Sequence, residues 1–129
     1  NCFNPAATYS AVAHGSTTVT LPIVLRDYFG FESSVTCQNV GTSATTINIA
    51  YSTGETSQLS GGASIPAGGV GEVVQFFDSA LSGKPANYIA SATVTASEPV
   101  VCVVNQDIIF GAGATTSQDR LQSYNGIGN

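Results

Sequence analysis

Short runs rich in Val, Ile, Thr and Tyr recur along nearly the whole chain, and clusters of Gly, Ser, Asn and Pro separate them. An apolar period of two belongs to half-buried strands, and no stretch carries an apolar stripe of helical period bounded by caps. The expected fold is therefore all-β. Residues 16–26 read as a long first strand, with Pro22 placing part of it at an edge or a bulge. Residues 33–40 follow. Residues 44–52 alternate, with Ile47, Ile49 and Tyr51 on one face and Thr46, Asn48 and Ala50 on the other.

Residues 54–69, rich in Ser, Gly and Thr and containing Pro66, read as a long connection with one short strand. Residues 70–77 form a strand and 78–85 a turn region. Residues 87–96 place Tyr88, Ala90, Ala92 and Val94 on one side. Glu98-Pro99 then reads as a turn into 100–106, so that these two segments form an antiparallel pair. A last segment covers 120–127. No internal repeat is visible. The expectation is one antiparallel, immunoglobulin-like β-sandwich of about seven or eight strands over 16–129, preceded by an extended N-terminal arm over 1–15.

Cys37 shares a face with Val35, and Cys102 shares one with Val100 and Val104, so both sulfurs point toward the core. If their strands are neighbours, a disulfide between them closes a loop of about 65 residues, worth roughly 4 kcal/mol in the loop-entropy view. Two unpaired buried thiols are the alternative, and pairing of Cys2 with either one stays open on spacing. Cys2, in a Pro-containing leader, is the candidate for an intermolecular disulfide.

Composition narrows the function. Only 9% of residues are charged, against about 25% in an ordinary soluble protein. The net charge is -5, and the cations are Arg26, Lys84 and Arg120. That leaves no basic patch for nucleic acid or anionic lipid. A neutral, hydroxyl-bearing surface favours close association. The chain starts at Asn1 and contains no Met, which reads as removal of a signal peptide and an extracellular or cell-surface location. No apolar run approaches the roughly 20 residues of a membrane-spanning helix. No N-x-S/T sequon is present.

The phrases Leu21-Pro22-Ile23-Val24, Asp27-Tyr28-Phe29-Gly30-Phe31, Ser34-Val35-Thr36-Cys37-Gln38-Asn39, Pro99-Val100-Val101-Cys102-Val103-Val104-Asn105 and Ser123-Tyr124-Asn125-Gly126 occur in that order. In this the chain resembles β-sandwich modules of secreted and cell-surface proteins of filamentous Chloroflexi-type bacteria. The resemblance spans residues 21 to 127 and implies an extracellular structural or adhesive role. It brings no catalytic residues. Cys37 and Cys102 depart from the usual pattern of those modules.

Chemistry of other kinds finds little purchase. A serine or cysteine nucleophile needs a base, and the single histidine is His14, in a Gly- and Ala-flanked leader. No nucleophile elbow, phosphate loop, dinucleotide fingerprint or metalloprotease motif is present. Glu72, Glu98, Asp107 and Asp119 are scattered, as solvated loop carboxylates would be. Asp78, Asp107 and Asp119 suit calcium by residue type but lack the loop spacing. Lys84, in Ser82-Gly83-Lys84-Pro85, reads as an exposed turn residue and not as half of an isopeptide crosslink. No cofactor, metal or enzymatic activity is expected.

Two functional expectations follow. The first is a self-assembling subunit of a surface filament, pilus or surface layer, a homopolymer held by N-terminal strand exchange. Thr17, Val19, Leu21 and Ile23 would be the alternating residues of the donated arm, and Cys2 a covalent lock. The second is a monomeric adhesive or carbohydrate-binding module. It would bind polysaccharide or other surface proteins through Tyr28, Phe29 and Phe31 and the polar 54–69 segment.

Overall fold

A computed structural model describes residues 15–108 and 122–128. Eight strands are present among them: β1 (Ser16–Arg26), β2 (Phe31–Asn39), β3 (Asn48–Tyr51), β4 (Thr56–Gln58), β5 (Val70–Val74), β6 (Tyr88–Ile108), β7 (Gln122–Asn125) and β8 (Ile127–Gly128). Every pairing among them is antiparallel. The architecture is an all-β sandwich. The short β4 is the strand expected inside the 54–69 connection, and single 3-10 turns lie at Leu59–Gly62, Gln75–Phe77 and Ser79–Leu81.

One strand serves both layers. The first part of β6 lies between β3 and β1, extending a layer ordered β4-β3-β6-β1-β8. Its second part pairs with β2, which carries β5, and with β7. The hairpin expected around Glu98-Pro99 is therefore not formed: residues 88–108 are one continuous strand. Pro99 sits where the β1 register jumps, between the pairs Thr18↔Thr95 and Ser16↔Val100, so its missing N–H removes no regular ladder bond. Its carbonyl accepts the amide of Val40 at 2.9 Å. A proline that ends a strand and a proline that bends one look alike in a short window. Here the bend turns the corner between layers.

The alternation read from the sequence sets the core. Ile47, Ile49 and Tyr51 are buried, as are Tyr88, Ala90, Ala92 and Val94. From the second layer come Val35, Cys37, Val100, Cys102 and Val104, while Leu59, Ile65 and Leu81 enter from connections. Val101 and Val103 are buried too, so this part of β6 is covered on both faces, as an unbroken apolar run suggests. Cys37 and Cys102 are direct register partners and form a disulfide with 4.0 Å between their Cα atoms.

β1 has the bounds read from its sequence and carries the bulge signalled by Pro22. Leu21 pairs with Ala92 and Val24 with Ala90, so β1 spends one extra residue there. Val19 and Leu21 face the core, and after the bulge Val24 does. Residues 122–128 close the structure by pairing first with β6 and then with β1. Gly126 is the pivot. A Cβ there would collide with Val19 Cγ1 and Leu21 Cδ2, so any larger residue would force these core side chains to shift.

Candidate interaction surfaces

The turn from β1 to β2 is built on unusual backbone. Tyr28 and Phe31 exchange both backbone hydrogen bonds, at 2.9 and 2.8 Å, around Phe29 (φ 51°) and Gly30 (φ 87°). Positive φ at both central residues is the signature of a type I′ turn, whose first central position favours Asn, Asp or Gly. Phe29 occupies it and is 72% exposed. Asp27 and Asn87, also at positive φ, brace the turn: the Asn87 amide donates to the Asp27 carbonyl, and Asn87 Oδ1 accepts the Phe29 amide.

Other aromatic and cationic groups gather at this end. Phe77 is 75% exposed beside Phe76, and the Arg26 guanidinium lies over the Phe76 ring, 5.5 Å from its centroid. Arg26 and Lys84 are the cations among the described residues. Lys84 pairs with Glu55 at 2.7 Å and sits over the Tyr88 ring. The hydrogen bond from Lys84, followed by that from the Thr53 hydroxyl, holds the Glu55 carboxyl down at about 2, and Glu55 in turn raises Lys84. The Glu32 carboxylate accepts the Asp27 amide. Burial pushes its pKa up to about 7, against the pull of the Asp27 and Ser33 amides and the Arg26 charge.

Tyr28 and Phe29 meet edge to face, with rings 4.8 Å apart and 86° between their planes. Phe31 belongs to β2 and is half-buried. The tight turn thus sets the Tyr28 and Phe29 rings at right angles, so the two do not form one flat surface for stacking on a sugar ring.

Beneath this end lies a buried polar network. Tyr51 donates to Asp78 Oδ2 at 2.6 Å, and Asp78 Oδ1 accepts from the Ser57 hydroxyl and the Ala80 amide. Gln75 donates its amide to the Tyr51 hydroxyl, and its Oε1 accepts from Ser33, whose hydroxyl also accepts the Leu25 amide. Burial, and then the bond to Asp78, push the Tyr51 phenol far up. Asp78, weighed above as a calcium ligand, is committed to these partners on both oxygens. Among the described residues, no three His, Cys, Asp or Glu side chains converge.

The sheet edges are managed locally. The Glu72 amide on β5 donates to the Ser60 hydroxyl, β4 has three residues, and the β1 bulge contains Pro22. Of the proposed arm residues, Val19 and Leu21 are buried in the chain's own core, while Thr17 and Ile23 are exposed, Ile23 because the bulge moves it out of the alternating row. β1 pairs within its own chain, with β6 and β8. Cys2, His14, Asp119 and residues 1–14 of the 1–15 arm lie outside the described residues, as does the side chain of Asp107. Glu98, read as a loop carboxylate, lies on β6 and accepts the amides of Thr42 and Ser43.

A shallow depression crosses the outer face of β3 and β4, lined by Asn48, Ala50, Thr56, Gln58, Gly61 and Thr95 among others. Gln58 Nε2 donates to Asn48 Oδ1 at 2.9 Å, leaving the Asn48 amide hydrogens available.

No family model matches the chain, and no curated protein does. Solved structures share its fold. A protein described as Thermotoga maritima 1070 superposes with a TM-score of 0.55 at 11% identity, covering 90% of this chain and 97% of that one. The Anabaena sensory rhodopsin transducer superposes with a TM-score of 0.51 at 17% identity, covering 68% of this chain and 93% of that one. At these identities the likeness is one of fold.

Proposed function

We propose that the chain is a non-enzymatic extracellular structural protein, a self-assembling subunit of a surface filament, pilus or surface layer akin to the Chloroflexi-type modules it resembles. The observation that carries this reading is Phe29. A large apolar side chain stands 72% exposed on a backbone position that disfavours it. Such a residue costs stability and suits burial against a partner, since aromatic anchors dominate protein interfaces. Phe77 is equally exposed and offers a second apolar anchor. The scarcity of charge lowers the desolvation cost of packing copies together. The buried Cys37–Cys102 disulfide suits an oxidising compartment, in which Cys2 would lock neighbours covalently. Strand exchange through Thr17, Val19, Leu21 and Ile23 would recreate between chains the pairs that β1 makes within one.

Electron microscopy of the purified protein, with reducing and non-reducing gels alongside, tests the proposal. Fibres or sheets together with a reducible ladder that Cys2→Ser abolishes are the expected outcome. A chain that stays monomeric at high concentration, with no ladder, overturns it.

A further inference from the structure

The depression across β3 and β4 invites a different kind of partner, and its reading does not depend on assembly. Its rim is Asn48 and Gln58, register partners on adjacent strands, with Thr56 on β4 and Thr95 on β6, the register partner of Asn48. All four side chains are exposed. The Thr56 and Thr95 hydroxyls make no hydrogen bond within the described chain, and the Asn48–Gln58 bond leaves the Asn48 amide hydrogens free to donate, while Gln58 Oε1 lies against Gly62. Ala50, exposed on the same face, adds an apolar methyl to the lining. At Gly61, one wall of the site, φ is +67° and a Cβ would meet nothing within 4 Å, so this wall stands open.

No charged residue lines the depression. An acidic or basic ligand would find no counter-ion here, and an apolar one would strand the amide and hydroxyl groups. A neutral ligand bearing hydroxyls on both edges and C–H groups on its faces satisfies every feature: hydroxyls to Thr56, Thr95, Asn48 and Gln58, and C–H groups over Ala50. The rim groups advance across the strands from Gln58 to Asn48 to Thr95 in steps of roughly 4.8 Å, comparable to one sugar ring. We propose that this depression binds an extended, neutral polysaccharide chain laid across β4, β3 and β6. Recognition would run through Gln58, Asn48, Thr56 and Thr95 and not through the Tyr28–Phe29 turn. With no aromatic stacking surface in the depression, binding is weak, in the millimolar range.

The test is an amide NMR titration of the full chain with hexasaccharides of β-1,4-glucan, β-1,4-mannan and β-1,4-xylan, with oligogalacturonate as the acidic comparison. At least one neutral sugar should shift the amides of residues 48–50, 56–58, 61 and 95, and oligogalacturonate should bind more weakly. Gln58→Ala and Thr95→Val, both on the exposed face, should each weaken binding up to about tenfold while leaving the rest of the spectrum intact. Four results would overturn the assignment. They are the absence of shifts with every neutral sugar at millimolar concentration, shifts confined to residues 27–31, binding indifferent to both substitutions, and movement of the same amides on raising protein concentration without sugar. The last would identify a second copy of this chain as the occupant. Filaments that form without sugar binding, or sugar binding by a monomer, separate this inference from the assembly reading.

Discussion

Asn87 Oδ1 accepts the backbone amide of Phe29 at 2.8 Å, so a residue 58 positions along the chain holds the Phe29 turn in its left-handed conformation. The clasp rigidifies an exposed aromatic in advance of any contact, which reduces the ordering cost that docking would otherwise carry.

Replacing Phe29 with Asn should therefore separate stability from association. Relief of a left-handed non-glycine residue is worth about 1 kcal/mol, and loss of the exposed edge contact with Tyr28 costs about 0.5 kcal/mol. The variant should be about 0.5 kcal/mol more stable in urea denaturation yet associate at least about tenfold more weakly by sedimentation. A stability loss greater than about 1 kcal/mol would mean that Phe29 serves the fold itself.

The disulfide makes a second prediction. Cys37 and Cys102 are 0% and 2% exposed, directly opposite each other in the β2–β6 pairing. The double variant Cys37→Ala/Cys102→Ala should lose roughly 4 kcal/mol, the loop-closure value for a separation of 65 residues. Thiol labelling of the native chain in mild reductant should be slow and should accelerate when denaturant opens the sandwich. Prompt labelling of both residues under native conditions would contradict their burial.

Much of this fold is legible in local pattern because burial and period agree. The alternation at Ile47, Ile49 and Tyr51, the Val35–Cys37 and Val100–Cys102–Val104 faces and the Pro22 bulge each depend on a few adjacent residues. What escapes is set by distant partners. Glu98-Pro99 carries the local chemistry of a turn, and only the arrival of β1 and β2 on either side makes it a bend in one long strand. Asp78 reads as a turn-region carboxylate because Tyr51 and Ser57, whose hydroxyls bind it, lie more than twenty residues earlier in the chain. The depression on β3 and β4 is partly legible in the polar 54–69 segment. Its other wall comes from Asn48 and Thr95, which periodicity marks only as outward-facing.

Tyr51→Phe tests the buried network. The phenol donates to Asp78 and accepts from Gln75, so its removal leaves a buried carboxylate oxygen and an amide without their partner. The loss should be about 1–3 kcal/mol, and Ser57→Ala, which removes one donor from a part-buried position, should cost less. Equal costs would show that Asp78 draws on the two hydroxyls alike.

Glu32 predicts how stability moves with pH. Its carboxyl is raised from an ordinary value of 4.5 to about 7, chiefly by burial, and the buried Glu32 Oε1 and Arg26 Nε make no hydrogen bond. Between those two values the native state holds a proton that the unfolded chain releases. Unfolding free energy therefore falls as pH rises through that window, and the contribution is fully present below pH 4.5. Deprotonation leaves a half-buried charge against Arg26 and the Asp27 amide, which compensate only in part. Urea midpoints taken from pH 5 to pH 8 should decline for the native sequence and flatten for Glu32→Gln, whose neutral amide cannot titrate. The two curves should converge toward pH 5 and diverge most near pH 8, with the Gln variant the more stable there. A native sequence whose stability rises from pH 5 to pH 8 would show that the Arg26 charge, and not burial, governs this carboxylate.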